Sequence, residues 1–173
     1  MLTKFKTTFR RVISKKINLQ NELYQINLDE KTFNIFGVKC NFRKKLFNQS
    51  FSNLSMLFQT DKASFIHRVT PNLPSKEFIR TITQSHDYAK YYDKLFFKKK
   101  NKINNICEIG VMSGASTAAF YFFFPKSRLF SLDIRFRRFS VNSKRIIKKY
   151  FDQSNIKSIT KFKNDTKKVN FDL

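Results

Sequence analysis

The strongest pattern in this chain is Asn105-Ile-Cys-Glu-Ile-Gly-Val-Met-Ser-Gly-Ala-Ser-Thr117. An apolar run closes on the acid Glu108, glycines follow at Gly110 and Gly114, and a helix-forming segment begins behind them. Nineteen residues after Gly114 a second apolar run, Arg128-Leu-Phe-Ser-Leu-Asp133, closes on another acid. Strand, glycine turn, helix, strand and acid make up the first half of a nucleotide-binding α/β unit. The spacing predicts strands over residues 103–109, 129–134, 146–151 and 169–173, with helices over 116–124 and 155–162. Strands that alternate with helices pair in parallel through right-handed crossovers, and ligands bind at their carboxyl ends. Glu108, Asp133 and Asp152 fall at such ends.

Working outward, 173 residues with 41% apolar side chains suffice for one domain with a core. The composition is unusual: 22 Phe, no Trp, three Gly, three Pro, and 35 Lys plus Arg against 12 Asp plus Glu, for a net charge of +23. Such a charge suits an anionic partner, nucleic acid or an acidic membrane. An abundance of Lys, Asn, Ile and Phe also follows from A+T-rich coding, so charge by itself names no partner. Two cysteines make no disulfide framework, and Cys107 reads as a small buried apolar side chain. Two histidines and no Cys/His cluster of zinc spacing give no expectation of a structural metal. No apolar run approaches the ~20 residues of a membrane span, and no secretory apolar core is present, so a cytoplasmic location is expected.

The pattern divides the chain into a basic extension, residues 1–57, and the opening part of an α/β domain, residues 58–173. Within the extension, Phe5, Phe9, Val12, Ile13 and Ile17 recur at helical spacing among lysines and arginines. That amphipathic helix could lie on an anionic membrane, resemble an organelle presequence, or pack its apolar stripe on the domain. Residues 32–39 read as a strand. Pro71 and Pro74 break a loop ahead of a helix over 87–97, where Tyr88, Tyr91, Tyr92, Leu95 and Phe96 recur at three- and four-residue steps. The basic run Lys98-Lys-Lys-Asn-Lys102 reads as a solvated connection.

At the strand ends the chemistry is specific. Gly110 and Gly114 let backbone approach a ligand at the following helix N-terminus. Met112 stands where a dinucleotide fingerprint wants its central glycine, so the pattern fits a cofactor without phosphate better than a dinucleotide. Asp133, as a two-oxygen acceptor, can take both hydroxyls of a ribose.

Several motifs in order carry a resemblance. Leu57-Phe-Gln-Thr-Asp-Lys62, His86-Asp-Tyr-Ala-Lys-Tyr-Tyr92, Ile106-Cys-Glu-Ile-Gly-Val-Met-Ser-Gly-Ala-Ser116, Phe123-Phe-Pro125, Leu129-Phe-Ser-Leu-Asp-Ile134 and Asp152-Gln-Ser154 together resemble class I S-adenosylmethionine-dependent methyltransferases. The macrocin and mycinamicin type of sugar O-methyltransferase is the subgroup they are most similar to, over residues 57–173. The resemblance implies a Rossmann-like parallel sheet, here only its first half, and S-adenosylmethionine as cofactor. It implies that Glu108, Gly110 and Gly114 line the methionine and ribose, that Asp133 takes the ribose hydroxyls, and that Asp152 and Gln153 meet the adenine edge. Thr60, Asp61 and Lys62 would border the substrate pocket, with His86, Tyr88 and Tyr92 as candidates for catalysis. The two tyrosines suit a half-buried helix face equally well, and His86 a helix start.

The departure lies at Phe171-Asp172-Leu173. The family continues from such a stretch into an Asp-Asp-Gly-Ser-His segment that binds a divalent metal, Mg, and the acceptor. The chain is therefore expected to be a fragment, with Mg only in a longer form, weak cofactor binding, little activity, and an exposed sheet edge that an oligomer or partner chain would cover. Two further readings stay open: a basic nucleic-acid-binding module, and a methyltransferase-like assembly subunit without catalysis. Neither accounts for His86, Tyr88, Glu108 and Asp133 in that order.

Overall fold

The computed structural model describes residues 26–35, 38–40, 43–63, 65–69, 80–84, 86–136 and 139–173. The amphipathic segment at residues 1–19 and the prolines at 71 and 74 lie outside the described residues. The chain is α/β. Its central sheet is three parallel strands, β6 (Asn105–Ile109), β7 (Arg128–Asp133) and β9 (Ile146–Tyr150), in the order β6-β7-β9. The registers pair Ile109 with Leu132 and Asp133 with Tyr150, so all three strands finish at one edge of the sheet.

Between β6 and β7 runs α4 (Ala115–Phe123), whose residues from Ser116 onward are all buried. A helix apolar on every side must be enclosed on every side, and the phenylalanines explain how. The sheet covers one flank; α2 (Phe51–Phe58) and α3 (Ala89–Phe96) cover another. Phe51 stacks on Phe120 at 4.8 Å and Phe58 on Phe122 at 5.8 Å, while Tyr92 meets Phe120 edge-on at 5.3 Å. Aromatic pairs at such distances add to area burial, so Phe supplies the volume that Trp would otherwise provide.

The core also takes in side chains that precede β6 by many residues. Leu28, Leu46, Phe51, Leu54 and Leu57 are buried in one cluster with Phe120 and Phe123, and α2 itself crosses position 57. The composition shift at that position is no break in packing. Short β1 (Ile26–Asn27) pairs in parallel with β8 (Val141–Asn142). Asp29 then takes hydrogen bonds from the Tyr121 hydroxyl (2.8 Å), the Ser143 hydroxyl (2.9 Å) and the Lys144 amide (2.7 Å). Arg43, which opens the one-turn α1 (Arg43–Leu46), donates to the Leu28 carbonyl and to the Tyr121 hydroxyl.

Two expectations need correction, and one pair of strands was not expected. The single strand expected at 32–39 is two antiparallel strands, β2 (Phe33–Ile35) and β3 (Val38–Cys40), and residues 36–37 lie outside the described residues. Two strands that were not expected, β4 (Phe65–Val69) and β5 (Arg80–Gln84), pair antiparallel ahead of α3; the loop expected at Pro71 and Pro74 lies outside the described residues. No strand forms at 169–173. Instead the Asp172 amide donates to the Asn105 carbonyl (2.9 Å), the Cys107 amide donates to the Leu173 carbonyl (2.7 Å), and the Asp172 carboxylate takes the amides of Asn104 and Asn105. Residues 172–173 thus lie along the outer side of β6 through these backbone hydrogen bonds. The remaining expected elements form with small shifts: α3 starts at Ala89, β6 at Asn105 and α5 (Ile156–Asp165) at the cap residue Asn155.

Candidate functional site

The site builds from the turn after β6. Gly110 has φ +78° and Gly114 φ +83°, the left-handed region where an L side chain is strained. A Cβ on Gly110 would meet nothing within 4 Å, whereas one on Gly114 would lie 2.5 Å from Val141 Cγ2 and 3.0 Å from Phe139. The two glycines therefore differ: Gly110 faces open space at the strand ends, and Gly114 makes room for the residue 139–141 segment. Between them Met112 also has positive φ, 46°, and its side chain is 59% exposed.

The turn is held by Asp133. Its Oδ2 accepts the Met112 amide at 2.8 Å and its Oδ1 the Arg135 amide at 3.0 Å. Each oxygen of a carboxylate has a second lone pair, so a carboxylate fixed at both ends by backbone retains acceptor capacity for two further donors. Large apolar side chains stand exposed at the same strand ends: Ile109 closing β6, Met112 in the turn, Ile134 after Asp133, and Tyr150 closing β9. Sequence periodicity counts such residues as core, which is why they escaped the reading. The available signal is their position directly beside strand-closing acids.

Glu108 points the other way, into the first turn of α4. It accepts hydrogen bonds from the Ser116 hydroxyl and, at 2.8 Å, from the Thr117 hydroxyl, and lies 3.2 Å from the Lys62 ammonium. Its side chain is 9% exposed. Burial pulls the Lys62 ammonium down, but Glu108 and then Asp61 more than offset it, and its pKa is raised above the ordinary 10.5.

Lys62 sits in a turn that follows α2. Thr60 is buried, its carbonyl accepting the Ala63 amide, and Asp61 is exposed. The Asp61 carbonyl accepts the His86 amide (3.0 Å), and the Lys62 carbonyl accepts the Ala89 amide (2.8 Å). The pairing of β4 with β5 sets Phe65 opposite Gln84, so the Thr60–Lys62 turn and the start of α3 meet despite 23 residues between Lys62 and His86. His86 and Tyr88 stack at 5.2 Å and both are exposed. Tyr92 is different in kind. Its ring packs on Phe51, Phe96 and Phe120, and burial pushes its phenol up, with Lys62 pulling partly back. A phenol so raised stays protonated at neutral pH and acts as a hydrogen-bond donor, not as a base.

Asp152 follows β9, where the Phe151 amide reaches the Asp133 carbonyl at 3.0 Å. Its Oδ1 takes the amide and hydroxyl of Ser154 (2.9 and 2.6 Å), which hold its carboxyl below the usual range and turn the chain into α5. Gln153 is exposed in that turn. The structure thus brings Gly110, Asp133 and Asp152 to one edge of the sheet, and Lys62, Glu108 and Tyr92 into a second, more buried group. Among the described residues no three His, Cys, Asp or Glu side chains group as metal ligands, and no helix is long and apolar enough to cross a membrane. No protein-family model, curated protein or solved structure matches the chain.

Proposed function

We propose that the strand ends of β6 and β7 bind the nucleoside part of S-adenosylmethionine, and that the chain belongs to a methyltransferase acting on a hydroxyl of a sugar or other small metabolite. One observation carries the reading. Asp133 is held by two backbone amides with acceptor capacity left over, amid exposed Ile109, Met112 and Ile134. A carboxylate paired with apolar surface matches a ribose diol attached to a flat base. Exposed apolar groups gathered at strand ends are otherwise costly.

The residues fit the cofactor. Gly110 leaves empty the volume that a Cβ would fill, and no phosphate cradle is required, in keeping with Met112 in the turn. Asp133 would hold the ribose hydroxyls and Ile134 the base. Bound there, the cofactor supplies an electrophilic methyl group. His86 and Tyr88, exposed just after β5, are the groups this reading offers for acceptor binding. A hydroxyl acceptor needs alignment more than a strong base, because methyl transfer is governed by the approach of the nucleophile.

Isothermal titration with S-adenosylmethionine and its demethylated product tests the reading. Saturable binding that weakens at least tenfold in Asp133→Asn, with an unchanged melting profile, is the expected result. Absence of heat at millimolar ligand, or equal affinity in wild type and variant, overturns it. Adenosine as a competitor distinguishes a nucleoside site from a general cation effect.

A further inference from the structure

Away from the strand-end turn, α5 stands off the sheet, with no fully buried residue of its own. It is anchored by Phe162 against Phe151 (5.4 Å) and Phe171 (6.1 Å). Standing off leaves a groove of about 400 Å³ between α5 and β9. Lys149 of β9 forms one wall, Lys157 and Lys161 of α5 the other, and Tyr150 and Phe162 contribute aromatic surface. Tyr150 is 68% exposed. The one acid in the groove, Asp165, pairs with Lys149 at 3.4 Å. Lys157 and Lys161 make no ion pair among the described residues. They lie one helical turn apart, and i, i+4 side chains share a face, so their charges add on the same wall.

We propose that this groove binds single-stranded nucleic acid, with Lys157 and Lys161 on the phosphates and Tyr150 stacked on a base. The fit is one of charge and shape. A basic groove that tracks a backbone, with an exposed ring for the bases, is how sequence-tolerant single-strand binding works. An anionic bilayer is the competing polyanion, and exposed Ile156 and Ile159 would serve it. A bilayer is flat, however, and the lysines line the walls of a concave site. The proposal does not depend on the cofactor reading.

The test must separate this groove from the chain's general +23 charge. Fluorescence anisotropy of the full chain with a labelled 12-nucleotide oligo(U), titrated from 50 to 300 mM salt, compares Lys157→Gln/Lys161→Gln with Lys94→Gln/Lys98→Gln. The second pair removes equal charge at equal spacing from exposed positions on and after α3. Loss of two phosphate contacts at the groove lowers the slope of log affinity on log salt by about 1.4, and the control pair changes affinity less than twofold. Tyr150→Ala weakens binding about fivefold or more at an unchanged salt slope. Equal losses in the two lysine pairs overturn the proposal. So does a groove-pair defect seen only with vesicles of 30% phosphatidylserine. Thermal melts of every variant guard against a folding defect, which conservative Gln at exposed positions is not expected to cause.

Discussion

The Lys62 ammonium lies 3.2 Å from the Glu108 carboxylate, joining the turn after α2 to the end of β6. Since the backbone of that turn holds His86 and Ala89, the pair ties the residues after β5 and the start of α3 to the central sheet. It sits beside the proposed cofactor turn, so its first task is placement. An ion pair with 18% and 9% side-chain exposure is costly to break on one side, because the other charge stays desolvated.

Lys62→Met is expected to destabilise the chain by about 2 kcal/mol, discounted from a fully buried pair because Lys62 retains some solvent contact and Glu108 keeps two hydroxyl donors. For a chain of this length that is a fall in Tm of about 6 °C. The pH dependence follows from the raised Lys62 pKa. The contribution is complete below the ordinary 10.5 and is lost as pH rises through the higher folded value. Melting curves between pH 8 and 11.5 should therefore show wild type and variant converging at the alkaline end. A constant gap would sink the assignment.

Gly110 and Gly114 share a conformation and differ in their surroundings. Gly114→Ala forces a Cβ to within 2.5 Å of Val141, adding a clash to backbone strain of about 1–2 kcal/mol. Gly110→Ala incurs the strain alone, a drop in Tm of about 4 °C. If Gly110 faces the cofactor, its alanine variant also loses about tenfold in S-adenosylmethionine affinity, measured by titration well below Tm. Gly114→Ala should be the less stable of the two by differential scanning calorimetry; the reverse order would contradict the packing.

The α/β character was legible in the sequence because the segment from Asn105 to Asp133 is locally consistent: apolar runs of strand length, glycines at left-handed positions, and acids at strand ends. The pairing of β4 with β5 was not, because Phe65–Val69 and Arg80–Gln84 carry polar and charged residues at strand positions and are separated by ten residues that include two prolines. Nor was α2, whose Phe51, Leu54, Leu57 and Phe58 sit in an uncharged stretch that closes the basic extension and is rich in Ser and Asn. For Glu108 the resemblance implies a ligand contact and says nothing of its protein partners. Only three-dimensional proximity reveals Lys62, Ser116 and Thr117 around it. Asp152 is a similar case, since its Oδ1 serves the turn into α5.

Asp29 clasps the segment before α1 to the loop after β8. Burial acts upward on its carboxyl, but the Lys144 amide and the hydroxyls of Tyr121 and Ser143 bring it below the ordinary 3.8. A depressed pKa contributes stability above 3.8 that is lost as pH falls through the lower folded value. Asp29→Asn is expected to lower stability at pH 7 by about 1–2 kcal/mol. It should also flatten the acid limb of Tm against pH below about pH 4. An acid limb identical to wild type would show that other carboxylates govern acid unfolding.

Asp93 makes a stronger claim on the fold than its place on a solvated helix implies. From α3 its carboxylate takes the amides of Phe51 (2.6 Å) and Ser52 (3.0 Å) and the Ser52 hydroxyl (2.6 Å), closing the N-terminus of α2. The first amides of a helix have no intrahelical partner, and a negative charge there also meets the positive end of the helix dipole. Ser50 caps the same end through the Asn53 amide at 3.1 Å, so the two acceptors divide the orphan donors between them. Asp93→Ala should cost about 2 kcal/mol, and Ser50→Ala about 1 kcal/mol. Because they satisfy different amides at one helix end, the double variant should be close to additive in urea unfolding. A double variant no worse than Asp93→Ala alone would mean that α2 already frays at this end when Asp93 is lost, and that the α2–α3 joint depends on this carboxylate rather than on the Phe51–Tyr92 contact.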